Sequence, residues 1–164
     1  MFKANEINEA DPVQYRVILM HGLPYSGKST EARRLSKKYG WPIVNPDAVR
    51  VALHGSRFLA VMEPWVWLIT FLMVKVMHLT GYDTVIVDAC NNTRKRRDEW
   101  RRVSPEDVEI LLVPVWTSSS ECIERAAKNN DQEIIPQIGR MAQEYELPGL
   151  DEVYFKEDEE DKRR

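Results

Sequence analysis

The chain has 164 residues and a mass of 19.2 kDa, room for one domain of the usual ~100–200 residues and not for a multi-domain machine. Its 43% hydrophobic and 30% charged content, with five Trp, is the composition of a globular chain, because disordered chains lack the apolar surface that offsets backbone entropy. The formal charge is −3, but residues 151–164 hold seven acids and four bases, so residues 1–150 carry nineteen of each, and a neutral body excludes a global field for non-specific nucleic-acid binding.

In chain order, residues 1–14 are acidic and lack the basic segment and apolar core of a secretory signal, so they are read as a short flexible leader. Val17-Ile18-Leu19-Met20 is a β-branched run that predicts a strand, followed by a glycine-rich turn and a helix from Ser29 to Tyr39 with Gly40 at its C-cap position. Pro42 to Asn45 predicts a second short strand, and Asp47 to His54 a helix. From Trp65 to Leu79 only Thr70, Lys75 and His78 are not apolar. A helix of that length reaches about 22 Å, short of a hydrocarbon core of roughly 30 Å, with Glu63-Pro64 expected to close it upstream. It is therefore expected to pack in the core or against another copy: no membrane partner is expected, and a homo-oligomer is favoured.

Gly81-Tyr82-Asp83 turns into a third strand, Thr84 to Asp88. Thr93 to Arg102 predicts a polar helix anchored by Trp100, Ser104 to Asp107 a turn, and Val108 to Trp116 a fourth strand. Ser118-Ser119-Ser120-Glu121 has capping-box spacing ahead of a helix from Cys122 to Lys128. Asn129 to Glu133 is a polar connector, and Pro136 suits the first turn of a last helix running to about Tyr145 and ended by Leu147-Pro148-Gly149. Strands alternating with helices mean a mainly parallel α/β sheet covered on both faces. Cys90 and Cys122 form no C-x-x-C pair, so neither a disulfide framework nor a zinc site is expected, and a reducing cytoplasm fits best.

The strongest chemical signal is Gly22-Leu23-Pro24-Tyr25-Ser26-Gly27-Lys28-Ser29, which fits G-x-x-x-x-G-K-[ST] and lies after a strand and before a helix, as that motif requires. Glycines let backbone N–H groups face a phosphate, and the helix N-terminus adds positive potential. Gly22, Pro24, Ser26, Gly27, Lys28, Ser29 and Thr30 are accordingly expected to bind ATP, with Lys28 on the β and γ oxygens and Ser29 on Mg²⁺. Tyr25 occupies a place where such loops often carry a small residue.

Asp47 follows the second strand, which puts it at the carboxyl edge of a parallel sheet, where ligands bind, and Arg50 lies one helical turn on. An acid that accepts a hydroxyl proton beside an arginine that grips an anion is a minimal acceptor site for phosphoryl transfer; a helix-start acid with an intrahelical ion pair explains the same two residues equally well. Asp88 ends the third strand at the same edge, suited to Mg²⁺ or to orienting the acceptor, with Asn91 three residues on. Arg94, Lys95, Arg96, Arg97, Arg101 and Arg102, interrupted by Asp98-Glu99, read as a solvated helix face ahead of a nucleic-acid patch. His21, His54 and His78 lack metal-ligand spacing.

From Arg16 to Pro148 the chain resembles the P-loop kinases related to the kinase domain of phage polynucleotide 5'-hydroxyl kinases. The resemblance rests on the Gly22–Thr30 loop, Asn45-x-Asp47-x-x-Arg50, Val87-Asp88-Ala89-Cys90-Asn91, Arg96-Arg97-x-x-Trp100, Glu124-Arg125, and Pro136 followed by Arg140-Met141 and Tyr145-Glu146-x-Pro148. It implies a P-loop NTPase fold with a small lid, a kinase domain over residues 15–155 and a charged tail over 156–164. It also implies Asp47 as general base, Arg50 as a contact to a phosphate of the acceptor nucleotide, Asp88 in active-site organisation, Lys28 and Ser29 on ATP and Mg²⁺, and a nucleic-acid 5'-hydroxyl end as acceptor; Arg50, Asp88 and Asn91 are the expected substrate-binding residues. The family's lid carries a second arginine shortly after the one matching Arg125; here Lys128 is the cation at hand, so Arg125 and Lys128 are the candidate lid charges. The phosphatase motif D-x-D-G-T of bifunctional relatives does not occur, so no 3'-phosphatase activity is expected. A small-molecule kinase, or a nucleotide-binding regulatory module without an acceptor, are the alternative functions.

Overall fold

A computed structural model describes residues 14–157; the leader up to residue 13 and the tail from residue 158 lie outside the described residues. Five strands form one all-parallel sheet: β1 (Tyr15–His21), β2 (Ile43–Val44), β3 (Thr84–Val87), β4 (Val108–Pro114) and β5 (Val153–Tyr154), in the order β2-β3-β1-β4-β5. Among the described residues there are six α-helices, α1 (Lys28–Tyr39), α2 (Pro46–His54), α3 (Glu63–Leu79), α4 (Arg94–Val103), α5 (Ser119–Lys128) and α6 (Ile135–Gln143), of which α1, α3 and α4 supply core side chains against the sheet. This is the doubly covered α/β architecture expected of a P-loop fold, and β1, at the centre, is apolar on both faces because both are covered.

The side-chain alternation along β1 divides the core. Val17 and Leu19 face a cluster with Val85, Val87, Leu112, Val74 of α3 and Trp100 of α4. Ile18 and Met20 face the opposite layer with Ala32 and Leu35 of α1, Ile86, Leu111 and Val113. A third, smaller cluster of Leu23, Cys122, Ala126, Ile134 and Ile138 holds α5 and α6 together and seats them against the loop after β1. These two helices and the 129–134 connector between them form the lid.

Several element ends differ from expectation for local reasons. Helix α3 begins at Glu63, and a 3-10 turn over Ala60–Met62 leads into it. Pro64 does not close it upstream, because proline in a first helical turn forfeits an N–H that has no intrahelical partner anyway. The continuous apolar helical stretch is thus Ala60–Leu79, 20 residues, long and apolar enough by those criteria to cross a membrane, where the shorter 65–79 stretch was not. Val66, Thr70 and Val74 are nevertheless buried, two of its three buried side chains being apolar and the Thr70 hydroxyl bonded to the Val66 carbonyl at 2.7 Å. Its other side exposes Val61, Trp65, Leu68, Leu72, Val76 and Leu79 at 46–78%.

Strand β4 stops at Pro114, and Val115 then donates to the His21 carbonyl at 2.7 Å. Helix α5 starts at Ser119, three residues earlier than expected, because the Ser118 hydroxyl accepts from the Glu121 N–H at 3.2 Å. Helix α6 ends at Gln143, ahead of Tyr145, and β5 was not expected at all; it pairs Val153 with Leu111 and Tyr154 with Leu112. The arginine-rich helix α4 is only partly a solvated face: Lys95 and Arg102 are exposed, but the arginines between them are engaged. Arg97 is fully buried, its Nε and Nη2 bonded to Glu152 at 2.8 and 3.0 Å, while Arg94 pairs with Asp98 and Asp151 and Arg101 with Asp98 and Glu152.

Candidate active site

The loop between β1 and α1 is shaped by backbone contacts. The Gly22 N–H is shared between the Cys90 carbonyl and the Asn92 side-chain oxygen, each at 3.2 Å. A Cβ on Gly22 would come within 2.6 Å of the Val115 carbonyl oxygen and 2.8 Å of the Ser26 hydroxyl, so this glycine is required by close approach of the β4 end. Gly27 caps α1 with φ 104°. Lys28 is buried and its ammonium donates to the Leu23 carbonyl across the loop at 2.5 Å. The Ser26 hydroxyl is buried without a protein partner among the described residues. A cradle that a side chain would fill, an enclosed lysine and an orphaned hydroxyl fit a phosphate group.

The residues expected on the acceptor side come from α2 and from the segment that follows β3. Asn45 caps α2, its side-chain oxygen accepting from the Asp47 and Ala48 N–H groups at 2.7 and 3.3 Å, while its amide donates to Asp88 at 3.2 Å. One residue thus caps the helix that carries Asp47 and bonds the Asp88 carboxylate. The Asp47 side chain is 76% exposed and Asp88 is buried. Arg50 donates to Asp47 at 2.6 Å, so the intrahelical pair does form. Sequence reasoning missed its second partner: Glu63, at the start of α3, takes Nε and Nη2 of Arg50 at 2.7 Å each. Its hydrogen bonds raise the Arg50 pKa, and Arg50 in turn holds the Glu63 carboxyl below its ordinary value. Nothing in the spacing of Glu63 from Arg50 signals this; α3 has to fold back on α2 first.

These groups line one cleft of about 640 Å³ together with Pro24, Tyr25, Lys28, Ser29 and Asn91. Arg96 belongs to it, its guanidinium 3.7 Å from the centre of the Trp67 ring and paired with Glu99. Burial presses the Arg96 pKa down. Asn91, with φ 44°, donates its amide to the Met20 carbonyl at 2.8 Å and so ties the cleft floor to β1. Ser29 and Asp88 are hard oxygen donors on the same wall, and one or two such groups plus phosphate oxygens are what Mg²⁺ takes from a protein.

The two lid cations are placed differently. Arg125 braces the phosphate loop from outside the cleft, donating to the Tyr25 and Ser26 carbonyls at 3.1 and 3.3 Å and to Glu121 at 2.5 Å. Lys128 is exposed, pairs with Glu124 on its own helix at 2.9 Å, and is not brought to the cleft. Thr30 is likewise exposed on α1, outside the cleft lining.

The family model AAA_33, described as an AAA domain, matches residues 17–148. The chain belongs to this family of P-loop kinase domains. Among solved structures it superposes on a gluconokinase from Sinorhizobium meliloti 1021 with a TM-score of 0.59 at 21% identity, covering 86% of this chain and 81% of that one. It superposes on a chain of the Pnkp1/Rnl/Hen1 RNA repair complex with a TM-score of 0.62 at 20% identity, covering 89% and 53%. A curated protein from Arabidopsis thaliana, "Transcription factor bHLH140", is 28% identical over 155 residues, 89% of this chain and 16% of that protein, so the chain spans about a sixth of that relative. The chain therefore shares its fold both with a gluconokinase and with a chain of an RNA repair complex, and the fold by itself does not choose a substrate.

Proposed function

We propose that this AAA_33 domain is an ATP-dependent phosphotransferase that moves the γ-phosphate to the 5'-hydroxyl of a DNA or RNA end. The observation that carries the reading is Asp47: an exposed carboxylate that lines the cleft, paired with Arg50 at 2.6 Å, its backbone N–H capped by Asn45 at the start of α2 and on the same sheet edge as the phosphate loop. Asp47 accepts the proton of the acceptor hydroxyl as its oxygen bonds to the γ-phosphorus and the bond to the ADP oxygen breaks. Lys28, withdrawn from the Leu23 carbonyl, supplies positive charge to the phosphates. Mg²⁺ held by Ser29 and Asp88 would neutralise phosphate charge. Three of the five Arg50 N–H groups are engaged with Glu63 and Asp47, and Glu63 fixes the guanidinium plane so that the remaining edge can meet a phosphate of the acceptor.

A second reading is favoured by one feature: Glu63 and Asp47 together offset the Arg50 charge, which suits an uncharged polyol as well as a polynucleotide. One assay separates them. With labelled γ-phosphate and a panel of 5'-hydroxyl oligonucleotides, nucleosides and sugars, Asp47→Asn is expected to lower turnover by roughly 10² to 10⁴ fold with ATP affinity little changed. Arg50→Ala is expected to raise KM most for acceptors bearing a phosphate next to the 5'-hydroxyl nucleoside. Parent-like turnover in Asp47→Asn would sink the assignment of the base, and transfer to sugars alone would replace the polynucleotide with a small molecule.

A further inference from the structure

Tyr25 has an unusual backbone for its residue type. Its φ is 63°, a left-handed conformation that strains a bulky side chain and that glycine adopts freely. Such strain persists where surrounding contacts over-determine it, and here those contacts reach across the cleft. The Tyr25 hydroxyl donates to Asp131 Oδ2 at 2.8 Å. Arg57 grips the same carboxylate with both Nη atoms, at 2.7 and 2.8 Å. Asp131 follows Asn130, itself at φ 56°, in the connector between α5 and α6, and its side chain is only 14% exposed. Arg57 lies in the irregular segment that joins α2, with Asp47 and Arg50, to the turn before Glu63. All three residues line the cleft.

We propose that Tyr25, Asp131 and Arg57 form a latch that ties the phosphate loop to the lid connector and to the acceptor-side segment, so that nucleotide at the loop sets the closure of the acceptor wall. Tyr25 is thus a positioning residue. The described hydrogen bonds and ion pairs include no direct side-chain link between the phosphate loop and α2, so the chain Tyr25–Asp131–Arg57 joins the loop to the segment that follows α2, and in-line transfer demands that the separation of the two sides be held to fractions of an ångström. The bidentate Arg57 contact holds the Asp131 carboxyl below its ordinary pKa, and the Tyr25 hydroxyl is correspondingly raised, as a donor to a charged partner should be. A tyrosine in place of glycine costs backbone strain and gains the only hydroxyl of this loop that reaches the lid connector.

The proposal rests on the reading that the loop binds nucleotide, and the experiment keeps the two apart. Binding of MgADP to the full chain is measured by calorimetry, and amide hydrogen exchange is followed in segments 55–59 and 129–134 with and without MgADP. In the parent, MgADP is expected to slow exchange in both segments by about tenfold. In Tyr25→Phe and in Arg57→Gln the slowing at 55–59 is expected to fall below about twofold while MgADP still binds. Tyr25→Gly, which relieves the backbone strain and removes the hydroxyl together, is expected to lose the same coupling while MgADP still binds. Absence of MgADP binding in the parent removes the nucleotide reading and the latch with it. Binding with no response at 55–59, or a Tyr25→Phe that responds like the parent, overturns the latch alone.

Discussion

His21 ends β1 directly behind the phosphate loop, its ring fully buried and stacked on Tyr145 at 4.8 Å between centroids with Trp116 edge-on at 5.8 Å. Burial, reinforced by the nearby Arg97 charge, pushes its pKa down to about 4 from 6.5, so the ring is neutral at physiological pH. The unfolded chain then binds the extra proton first, and stability must fall as pH drops from about 6.5 toward 4. The expected outcome is a thermal midpoint that declines between pH 6.5 and 4.5, with the slope flattened in His21→Phe, which keeps the ring stack and removes the titration. A parent midpoint that is level over this range would show that the ring protonates without cost. The histidines were read from sequence only as lacking metal spacing; an isolated His at a strand end carries no sign of the Tyr145 ring that arrives from the far side of the lid.

At the scale of elements, α4 and β5 depend on each other. Glu152, one residue before β5, receives Arg97 and Arg101 side chains and the Gly149 N–H at 2.8 Å. Burial opposes its charge, but these donors overcome it and hold the carboxyl at about 2. Its contribution is therefore present above the unfolded carboxyl pKa near 4.5 and is lost as pH falls toward 2, below the window in which His21 acts. Glu152→Ala leaves the buried Arg97 charge short of its partner and is expected to destabilise by about 3–5 kcal/mol in urea unfolding, whereas Arg97→Met with Glu152→Leu is expected to recover most of that. Equal losses in the single and double variants would mean that packing, not the uncompensated charge, decides. The expectation of a solvated basic face failed at this pair: a run of arginines looks the same whether its counter-charges are water-exposed neighbours or one acid about fifty residues away.

Across the whole molecule, α3 is the element most at odds with a self-sufficient domain. Val61, Trp65, Leu68, Leu72, Val76 and Leu79 recur at steps of three and four residues and form one exposed apolar ridge. A second copy laid along that ridge would bury the same stripe on both partners, as a two-fold interface does. The expected light-scattering mass of the parent is accordingly a multiple of 19.2 kDa, and that of Leu68→Glu with Leu72→Glu is one copy with an unchanged far-UV spectrum. A parent that stays at one copy throughout the micromolar to millimolar range would sink the oligomer. The ridge lies on the face of α3 opposite Val66 and Val74, so this contact would leave the packing of α3 on the sheet as it is.

Local signals sufficed where the physics is local. A central strand, a glycine-rich turn and a helix start lie consecutively in the chain, so Gly22 to Ser29 could be read as a phosphate loop, and the alternation of strands and helices as a parallel sheet, before any contact was known. Asp47 follows the second strand directly and Arg50 lies one turn on, so both could be placed at the sheet edge for the same reason, while the Asn45 cap itself came from the structure. What required the tertiary structure was every charge whose partner is remote: Arg50 with Glu63, Arg97 with Glu152, and Arg57 and Tyr25 with Asp131. It also decided that Arg125 braces the loop while Lys128 stays at the surface, and that a two-residue β5 completes the sheet. Helix and strand periods, caps and turns are encoded within a few residues, whereas an ion pair across the fold depends on which surfaces the packed core brings together, and no spacing in the chain encodes that.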